Sequence, residues 1–253
     1  MSNIIAFAGK GGTGKTTAAA LLIRALKEKE LGPTLAIDAD PNSNLGELLG
    51  IKHLSTIVDI IDDISKHSDQ IPKGMTKDRF IDFKVQESLN EEDGFDLLSM
   101  GRPEGPGCYC FVNNMLRGLI EKLMKNYAYI VVDNEAGMEH LSRRLVRKID
   151  ELFVLSDASI IGVRAAARIS VLADELNIKI RDRFLILNRS KNDTSSLKTE
   201  IDKTGLNLKT ILPVDDEIEN AAIKNVSVFD LKNNNPVLNL IRELPIASLN
   251  GKG

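Results

Sequence analysis

The sequence predicts an α/β fold in which a mainly parallel, twisted sheet of about seven or eight strands is covered by helices on both faces. Short apolar runs typical of buried strands recur along the chain, and stretches with helical periodicity separate most of them. With 253 residues, 43% of them hydrophobic and 27% charged, the chain can bury a substantial core. We therefore expect a single domain over residues 1–253.

The predicted strands are rich in β-branched residues. They are Ile4–Ala8, Thr34–Ile37, Phe95–Met100, Tyr129–Val132, Leu152–Leu155, Phe184–Leu187 and Leu208–Leu212. Sheets of this kind bind ligands at the carboxyl ends of their strands. Residues 59–90 are rich in Asp, Lys and Ser, which predicts a surface insertion with short helices that can serve as a partner surface.

A glycine-rich segment joins the first predicted strand to an alanine-rich helix, predicted over Thr17–Lys29. Its glycines allow the backbone to wrap around an anion, and the helix N-terminus directs N–H groups at it. Lys15 adds a charge for the β- and γ-phosphates, and Thr16 offers a hydroxyl to Mg²⁺. The segment predicts a P-loop NTPase that binds ATP or ADP through Gly11, Gly12, Thr13, Gly14, Lys15, Thr16 and Thr17. Lys10 places a second cation in the loop.

Carboxylates follow two further predicted strands. Asp38 and Asp40 follow the second strand, and alternation along an extended segment sends both to the same side. One can hold a metal-bound water while the other orients the attacking water, although an Asp-Pro turn is the alternative. Asp133 follows the fourth predicted strand as a candidate magnesium residue, or as a helix cap.

The residues after Asp133 are candidates for a nucleotide-dependent switch. They are Asn134, Glu135 and Gly137, of which the glycine would let the loop pivot when the γ-phosphate arrives or leaves. Candidate base-binding residues follow the last two predicted strands. Asn188, with Arg189 beside it, could read the adenine edge, and the segment with Pro213 and Asp215 could close over base and ribose. The same residue types are frequent in ordinary turns.

Two cysteines occur, Cys108 and Cys110, with a spacing unsuited to an unstrained disulfide. They lie between a Gly- and Pro-rich loop and an amphipathic helix predicted over Phe111–Met124. The helix dipole favours thiolates, and two thiolates fill half of a tetrahedral soft-metal site, which a second chain could complete. Core packing and thiol-disulfide catalysis are the alternatives. The three histidines, His53, His67 and His140, show no ligand spacing.

Charge and hydropathy argue against two classes of partner. The net charge is −3 and the sequence pI is about 5.7, so the cationic field required for sequence-independent DNA binding is missing. No apolar run approaches the roughly 18 residues of a membrane span, and the N-terminus enters a strand without a leader. We expect a cytoplasmic protein that binds neither nucleic acid nor membrane.

The segment Lys10–Thr17, with Asp38, Asp40 and Asp133, resembles the deviant Walker A ATPases, the class of MinD, ParA and the nitrogenase iron protein. The match runs nearly the length of the chain. The resemblance implies an ATP-dependent homodimer in which Lys10 reaches the other subunit's phosphates. It also implies that Asp40 activates water, while Asp38 and Asp133 lie around Mg²⁺.

Within that class, Cys108 and Cys110, together with residues 133–137 and 139–141, resemble the CooC family of accessory ATPases. This resemblance implies that the protein inserts nickel into a client enzyme, the nickel-dependent carbon monoxide dehydrogenase. It further implies Ni²⁺ or Zn²⁺ bridging two subunits through four thiolates. Two alternatives stay open: a nucleotide-gated adaptor with a structural metal, which docks through residues 59–90, and a redox ATPase with an iron-sulfur cluster.

Overall fold

The computed structural model describes residues 2–52, 54–66, 71–101, 118–135, 148–191 and 194–246. Within these ranges the strands are β1 (Asn3–Gly9), β2 (Thr34–Asp38), β3 (Asn90–Glu92), β4 (Phe95–Ser99), β5 (Tyr129–Asp133), β6 (Lys148–Asp157), β7 (Lys179–Ser190) and β8 (Asn207–Pro213). They form one sheet in the order β3-β4-β2-β5-β1-β6-β7-β8. Every neighbouring pair is parallel except β3 and β4. The predicted fold class is confirmed.

The α-helices that the structure bounds at both ends are α1 (Lys15–Glu28), α2 (Asn44–Leu48), α3 (Ile57–Lys66), α4 (Lys77–Glu87), α5 (Ile160–Glu175), α6 (Lys198–Thr204), α7 (Asp216–Lys224) and α8 (Pro236–Arg242). Residues 118–124 are helical as well. In the described part of the chain, none of the helices combines the length and apolar character that a membrane span needs.

Alternation along the strands builds a hydrophobic core on each face of the sheet. In β1, Ile5 and Phe7 pack with α1, α2 and α8, whereas Ala6 and Ala8 pack on the opposite side with α3, α4, α5 and α6. Successive side chains of a strand point to opposite faces, so the buried central strands are apolar on both sides. This sandwich fixes the sheet whose carboxyl edge carries the candidate site.

Three boundaries differ from the prediction. The edge strand β3 was not predicted because Asn90–Glu92 contains no apolar residue, so Tyr129–Asp133 is the fifth strand rather than the fourth. Strands β6 and β7 extend well beyond their apolar centres. Their polar amino halves are joined by ion pairs from Arg181 to Asp150 and Glu151 at 2.9 and 2.8 Å. A search for apolar runs cannot detect such segments.

The segment 59–90 contains most of α3 and all of α4, in agreement with the short helices expected there. Ile64, Ile81 and Val85 of these helices are buried in the core on that side of the sheet. Their polar faces remain exposed. The segment therefore contributes apolar side chains to the main core as well as surface.

Arg24 of α1 fastens the C-terminal part of the chain to the first helix. Its guanidinium is 2% exposed and donates to the carbonyls of Val228 and Leu231 at 2.5 and 2.9 Å. It also donates to Asn233 at 2.6 Å and pairs with Glu28 at 2.7 Å. Removal of this side chain is strongly destabilising, because it leaves buried carbonyls without hydrogen-bond donors.

We predict that Arg24→Ala lowers the free energy of unfolding by about 3 kcal/mol, because two buried carbonyls lose their donor. Urea denaturation followed by circular dichroism measures this change. The exposed Arg168 of α5 is the matched control, and Arg168→Ala should stay within about 0.5 kcal/mol of the parent. Equal effects for the two variants would contradict the assigned role of Arg24.

Candidate functional site

Parallel register brings the predicted site residues to one edge of the sheet. Asp38, the last residue of β2, lies opposite Asp133, the last residue of β5, and Asp133 is also paired with Phe7 of the central strand. Farther along the same edge, Asn188 of β7 is paired with Asp157 at the end of β6. Residues distant in sequence therefore surround the loop that follows β1.

The loop between β1 and α1 wraps around the carbonyl of Lys10. That oxygen accepts from the Thr13 N–H at 3.3 Å, the Thr13 hydroxyl at 2.8 Å and the Lys15 ammonium at 3.4 Å. Gly12 and Gly14 have φ of 79° and 89°, a region that favours glycine. Gly14 caps α1 without a side-chain hydrogen bond, so the first N–H groups of the helix point into the loop.

The two lysines of the loop differ in exposure. Lys15 is buried, with 7% of its surface exposed, whereas Lys10 is exposed at the start of the loop. A buried ammonium next to backbone N–H groups attracts an anion strongly, since little water screens it. The exposed Lys10 can reach beyond its own loop. The different tasks predicted for the two cations remain predictions.

Asp38 is fully buried and ties the end of β2 to α2. Its Oδ1 accepts from the Asp40 N–H at 3.1 Å, and its Oδ2 accepts from the Leu45 N–H at 2.9 Å. Burial raises the pKa of Asp38 to about 6, and the nearby charge of Asp40 adds to the increase, while the two backbone bonds oppose it. The carboxylate therefore holds the loop containing Asp40 in place.

Asp133 is also fully buried, and in the described part of the chain neither of its oxygens has a well-aligned hydrogen bond. The pKa of Asp133 is raised to about 7, chiefly by burial, and the charges of Asp38 and Asp40 contribute to this increase. The Thr16 hydroxyl and the Lys15 ammonium are close enough to lower it. The residues predicted for phosphate and magnesium binding thus converge on this carboxylate.

Two buried carboxylates so close together suit a small, hard cation, which would relieve the repulsion between Asp133 and its acidic neighbours. No cluster of three or more His, Cys, Asp or Glu that could hold a metal occurs among the residues described. Magnesium in a phosphate-loop site takes most of its ligands from a hydroxyl, phosphate and water. The predicted set of Thr16, Asp38 and Asp133 fits that requirement.

Asp40 is partly exposed and lies in a tight turn. Its Oδ1 accepts from the backbone and side-chain N–H groups of Asn42 at 2.8 and 2.9 Å. The other carboxylate oxygen, Oδ2, accepts none of these bonds. Asp40 thus presents a carboxylate oxygen at the carboxyl edge of the sheet, as a residue that orients water must.

Asn134 couples the segment after β5 to the central strand. Its backbone N–H and its side-chain Nδ2 both donate to the carbonyl of Phe7, at 3.2 and 2.7 Å. This double contact fixes the start of the predicted switch beside Phe7, near the end of β1 and just before the phosphate loop. The sequence predicted a switch here but not this contact. Glu135 is partly exposed, and Gly137 lies outside the described residues.

The four predicted base-binding residues line a single narrow cleft beside the phosphate loop. Gly14 of the loop and Thr17 of α1 line it too, which places the cleft next to the phosphate loop. The lining residues are Gly14, Thr17, Ala18, Leu21, Asn188, Arg189, Leu212, Pro213, Asp215, Ile218, Glu219 and Val237. The sequence did not indicate that the apolar residues of this list line the cleft, because apolar periodicity marks them only as core residues.

Two of these residues use polar atoms within the protein. The Asn188 Nδ2 donates to the carbonyl of Thr13 at 2.8 Å, and its Oδ1 accepts from the Arg189 N–H at 2.9 Å. The Asp215 carboxylate caps α7 by accepting from Ile218 N–H at 2.9 Å and from Asn235 Nδ2 at 3.1 Å. Both residues border the cleft, and both also hold its walls together.

The candidate metal ligands Cys108 and Cys110 lie outside the described residues, as do His53, His67 and His140. The helical residues 118–124 lie at the C-terminal end of the helix predicted over Phe111–Met124. The thiolate site therefore remains a prediction from the sequence.

The family model for the CobQ/CobB/MinD/ParA nucleotide binding domain matches residues 4–228. An uncharacterized ATP-binding protein of Methanocaldococcus jannaschii is 44% identical, covering 98% of this chain and 99% of that protein. The carbon monoxide dehydrogenase accessory protein CooC of Rhodospirillum rubrum is 29% identical, covering 90% and 89%. The crystal structure of the Pyrococcus furiosus cell division ATPase MinD superposes with a TM-score of 0.70 at 19% identity, covering 96% of both chains.

The raised pKa of Asp133 predicts a pH-dependent stability of the ligand-free protein. A carboxyl whose folded pKa of about 7 exceeds its ordinary 3.8 holds its proton in the folded state while the unfolded chain releases it. The free energy of unfolding should therefore fall as pH rises from about 4 to about 7. Asp133→Asn removes this penalty, and its stability advantage should grow by on the order of 2 kcal/mol between about pH 5 and pH 8.

Urea denaturation at several pH values, without Mg²⁺ or nucleotide, measures this difference. The exposed Asp202 of α6 supplies the control, since Asp202→Asn should give a difference from the parent that does not grow with pH. An advantage of Asp133→Asn that stays constant from pH 5 to pH 8 would show that Asp133 is not a buried, uncompensated charge.

Proposed function

This chain belongs to the CobQ/CobB/MinD/ParA nucleotide-binding domain family, and we propose that within this family it is an accessory ATPase that inserts nickel into carbon monoxide dehydrogenase. Membership of the family makes it an ATPase of the MinD/ParA class. The more specific function is supported by the likeness to CooC, which extends over 90% of the chain. The Cys-Tyr-Cys segment at 108–110 supplies residues suited to a soft metal ion.

In the proposed reaction, the phosphate loop binds the triphosphate through backbone N–H groups and the N-terminus of α1. Lys15 supplies a cation to the β- and γ-phosphates, and its present contact with the Lys10 carbonyl at 3.4 Å is weak enough to be exchanged for a phosphate. Asp40 orients the attacking water. Bound Mg²⁺, held by Thr16 with Asp38 and Asp133 behind it, would neutralise charge on the phosphate oxygens.

A second subunit completes the site in this proposal. The exposed Lys10 contacts the partner's phosphates, so ATP draws two chains together. Cys108 and Cys110 of each chain then contribute four thiolates to one Ni²⁺ or Zn²⁺. The proposal places this work in the cytoplasm.

Nucleotide and metal are coupled in this scheme. The segment after Asp133 responds to the γ-phosphate, and the helix ending near residue 124 connects the cysteines to β5. Coupling between two sites is reciprocal, so metal changes nucleotide affinity by the same factor by which nucleotide changes metal affinity. Hydrolysis thereby converts a metal-holding dimer into a form that releases nickel to its client.

Lys15→Ala and Asp40→Asn should separate binding from hydrolysis. Lys15→Ala removes the buried cation from the phosphates, and ATP affinity should fall at least about 100-fold. Asp40→Asn should bind ATP within about 3-fold of the parent but hydrolyse it at least about 100-fold more slowly, because only the water loses its partner. Calorimetric titration and phosphate release measure the two effects, and near-normal turnover in both variants would refute the site.

Cys108→Ser with Cys110→Ser should abolish stoichiometric binding of Ni²⁺ and Zn²⁺ and remove metal-dependent dimerisation. ATP affinity measured without metal should stay within about 2-fold, since the thiolates do not touch the phosphates in this scheme. Metal analysis combined with analytical ultracentrifugation gives both quantities. A double variant that keeps one metal per dimer would eliminate the thiolate site.

The same measurements distinguish the two alternatives. An adaptor with a structural metal would bind ATP without stimulated turnover, and its metal would be unaffected by nucleotide. A redox ATPase would contain iron and acid-labile sulfide with a brown colour. Either result would replace nickel insertion as the function of this ATPase.

A further inference from the structure

Asn188 lies at the border between the base cleft and the phosphate loop. We propose that it is a positioning residue that holds the phosphate loop in its binding shape, whichever base the nucleotide carries. This inference deepens the proposed function, since it rests on nucleotide binding at this loop. It differs from the adenine-reading role that the sequence alone suggested for Asn188.

The amide of Asn188 bridges two segments that are far apart in sequence. Its Nδ2 donates to the carbonyl of Thr13 at 2.8 Å, in the middle of the phosphate loop. Its Oδ1 accepts from the Arg189 N–H at 2.9 Å, at the end of β7. The bond to Thr13 therefore fastens the loop to a strand that the core holds rigidly.

The partners also fix which way the amide faces. A carbonyl can only accept and an N–H can only donate, so the reverse orientation would place acceptor against acceptor and donor against donor. One N–H and one lone pair are committed to the protein. An aspartate or leucine of similar size could not make the bond to Thr13.

The backbone on both sides is shaped around this contact. A Cβ on Gly14 would collide with the Asn188 Nδ2, and Gly14 has φ of 89°. Arg189 has φ of 54°, which is rare for a side chain of this size, and its N–H is the group that Asn188 accepts. Gly14 is the N-cap of α1, so Asn188 fixes the position of the helix N-terminus that would face the phosphates.

The carbonyl of Thr13 is held by Asn188, and this anchoring affects the direction of the neighbouring N–H groups of the loop. Phosphate binding requires these groups to converge within hydrogen-bond distance. Loss of the anchor should therefore weaken binding of any polyphosphate. A residue that reads adenine would affect only ligands that contain the base.

Binding of Mg·ATP, Mg·GTP and Mg·tripolyphosphate to the full-length protein tests this difference. Asn188→Ala should weaken all three by the same factor, about 3- to 10-fold, as expected for loss of one hydrogen bond. It should also lower kcat while leaving the ratio of kcat/KM for ATP over GTP unchanged. Asn188→Leu, which fills the same volume, should give the same pattern if the alanine variant is poorly folded.

Asn207→Ala, at the exposed start of β8, is the matched control and should leave all three affinities unchanged. If Asn188→Ala weakens ATP but not tripolyphosphate, Asn188 reads the base and the proposal is wrong. Unchanged affinity for all three ligands would also overturn it. None of these measurements involves nickel or the client enzyme, so failure of nickel insertion would not be mistaken for failure of this inference.

Discussion

The burial of two carboxylates on neighbouring strands is the constraint around which this molecule is organised. Asp38 and Asp133 face each other in register at the ends of β2 and β5, and neither is exposed to solvent. Two negative charges in such a place destabilise the fold unless cations or N–H groups surround them. The Lys15 ammonium and the Thr16 hydroxyl lie near Asp133, and backbone N–H groups bond to Asp38. We propose that this arrangement accepts a metal-bound polyphosphate.

The phosphate loop keeps its shape because its neighbours hold it from several directions. Asn134 donates a hydrogen bond to the carbonyl of Phe7 just before the loop, and Asn188 donates one to the carbonyl of Thr13 within it. The bond from Asn134 joins the end of β5 to β1 just before the loop, and the bond from Asn188 joins β7 to the loop itself. A change in the segment after β5 therefore has a direct physical path to the loop, through a hydrogen bond of 2.7 Å, and the base cleft has a second path through Asn188.

The features of the nucleotide site and the cysteine pair lie in different parts of the chain. The sheet, the loop and the two carboxylates all lie within residues 4–228, the range that the family model matches. The cysteine pair at 108–110 lies in the connection between β4 and the helix before β5, where a long insertion does not disturb the register of either strand. The proposed accessory function would therefore be carried by this connection, between two strands of the sheet that bears the candidate nucleotide site.

The sequence by itself determined the fold class, the phosphate loop and the identity of the carboxylates, because glycine spacing and buried apolar runs are local properties. It did not reveal β3, whose three residues become a strand only by pairing with β4, or the polar halves of β6 and β7, which depend on ion pairs with Arg181. It also suggested Asn188 for base recognition without indicating its bond to Thr13. Only the tertiary structure decided these features, since each depends on contact with another strand or loop and none carries a local apolar pattern. The bonds of Asn188 and Arg181 join residues far apart along the chain, and β3 pairs with β4 across a short turn.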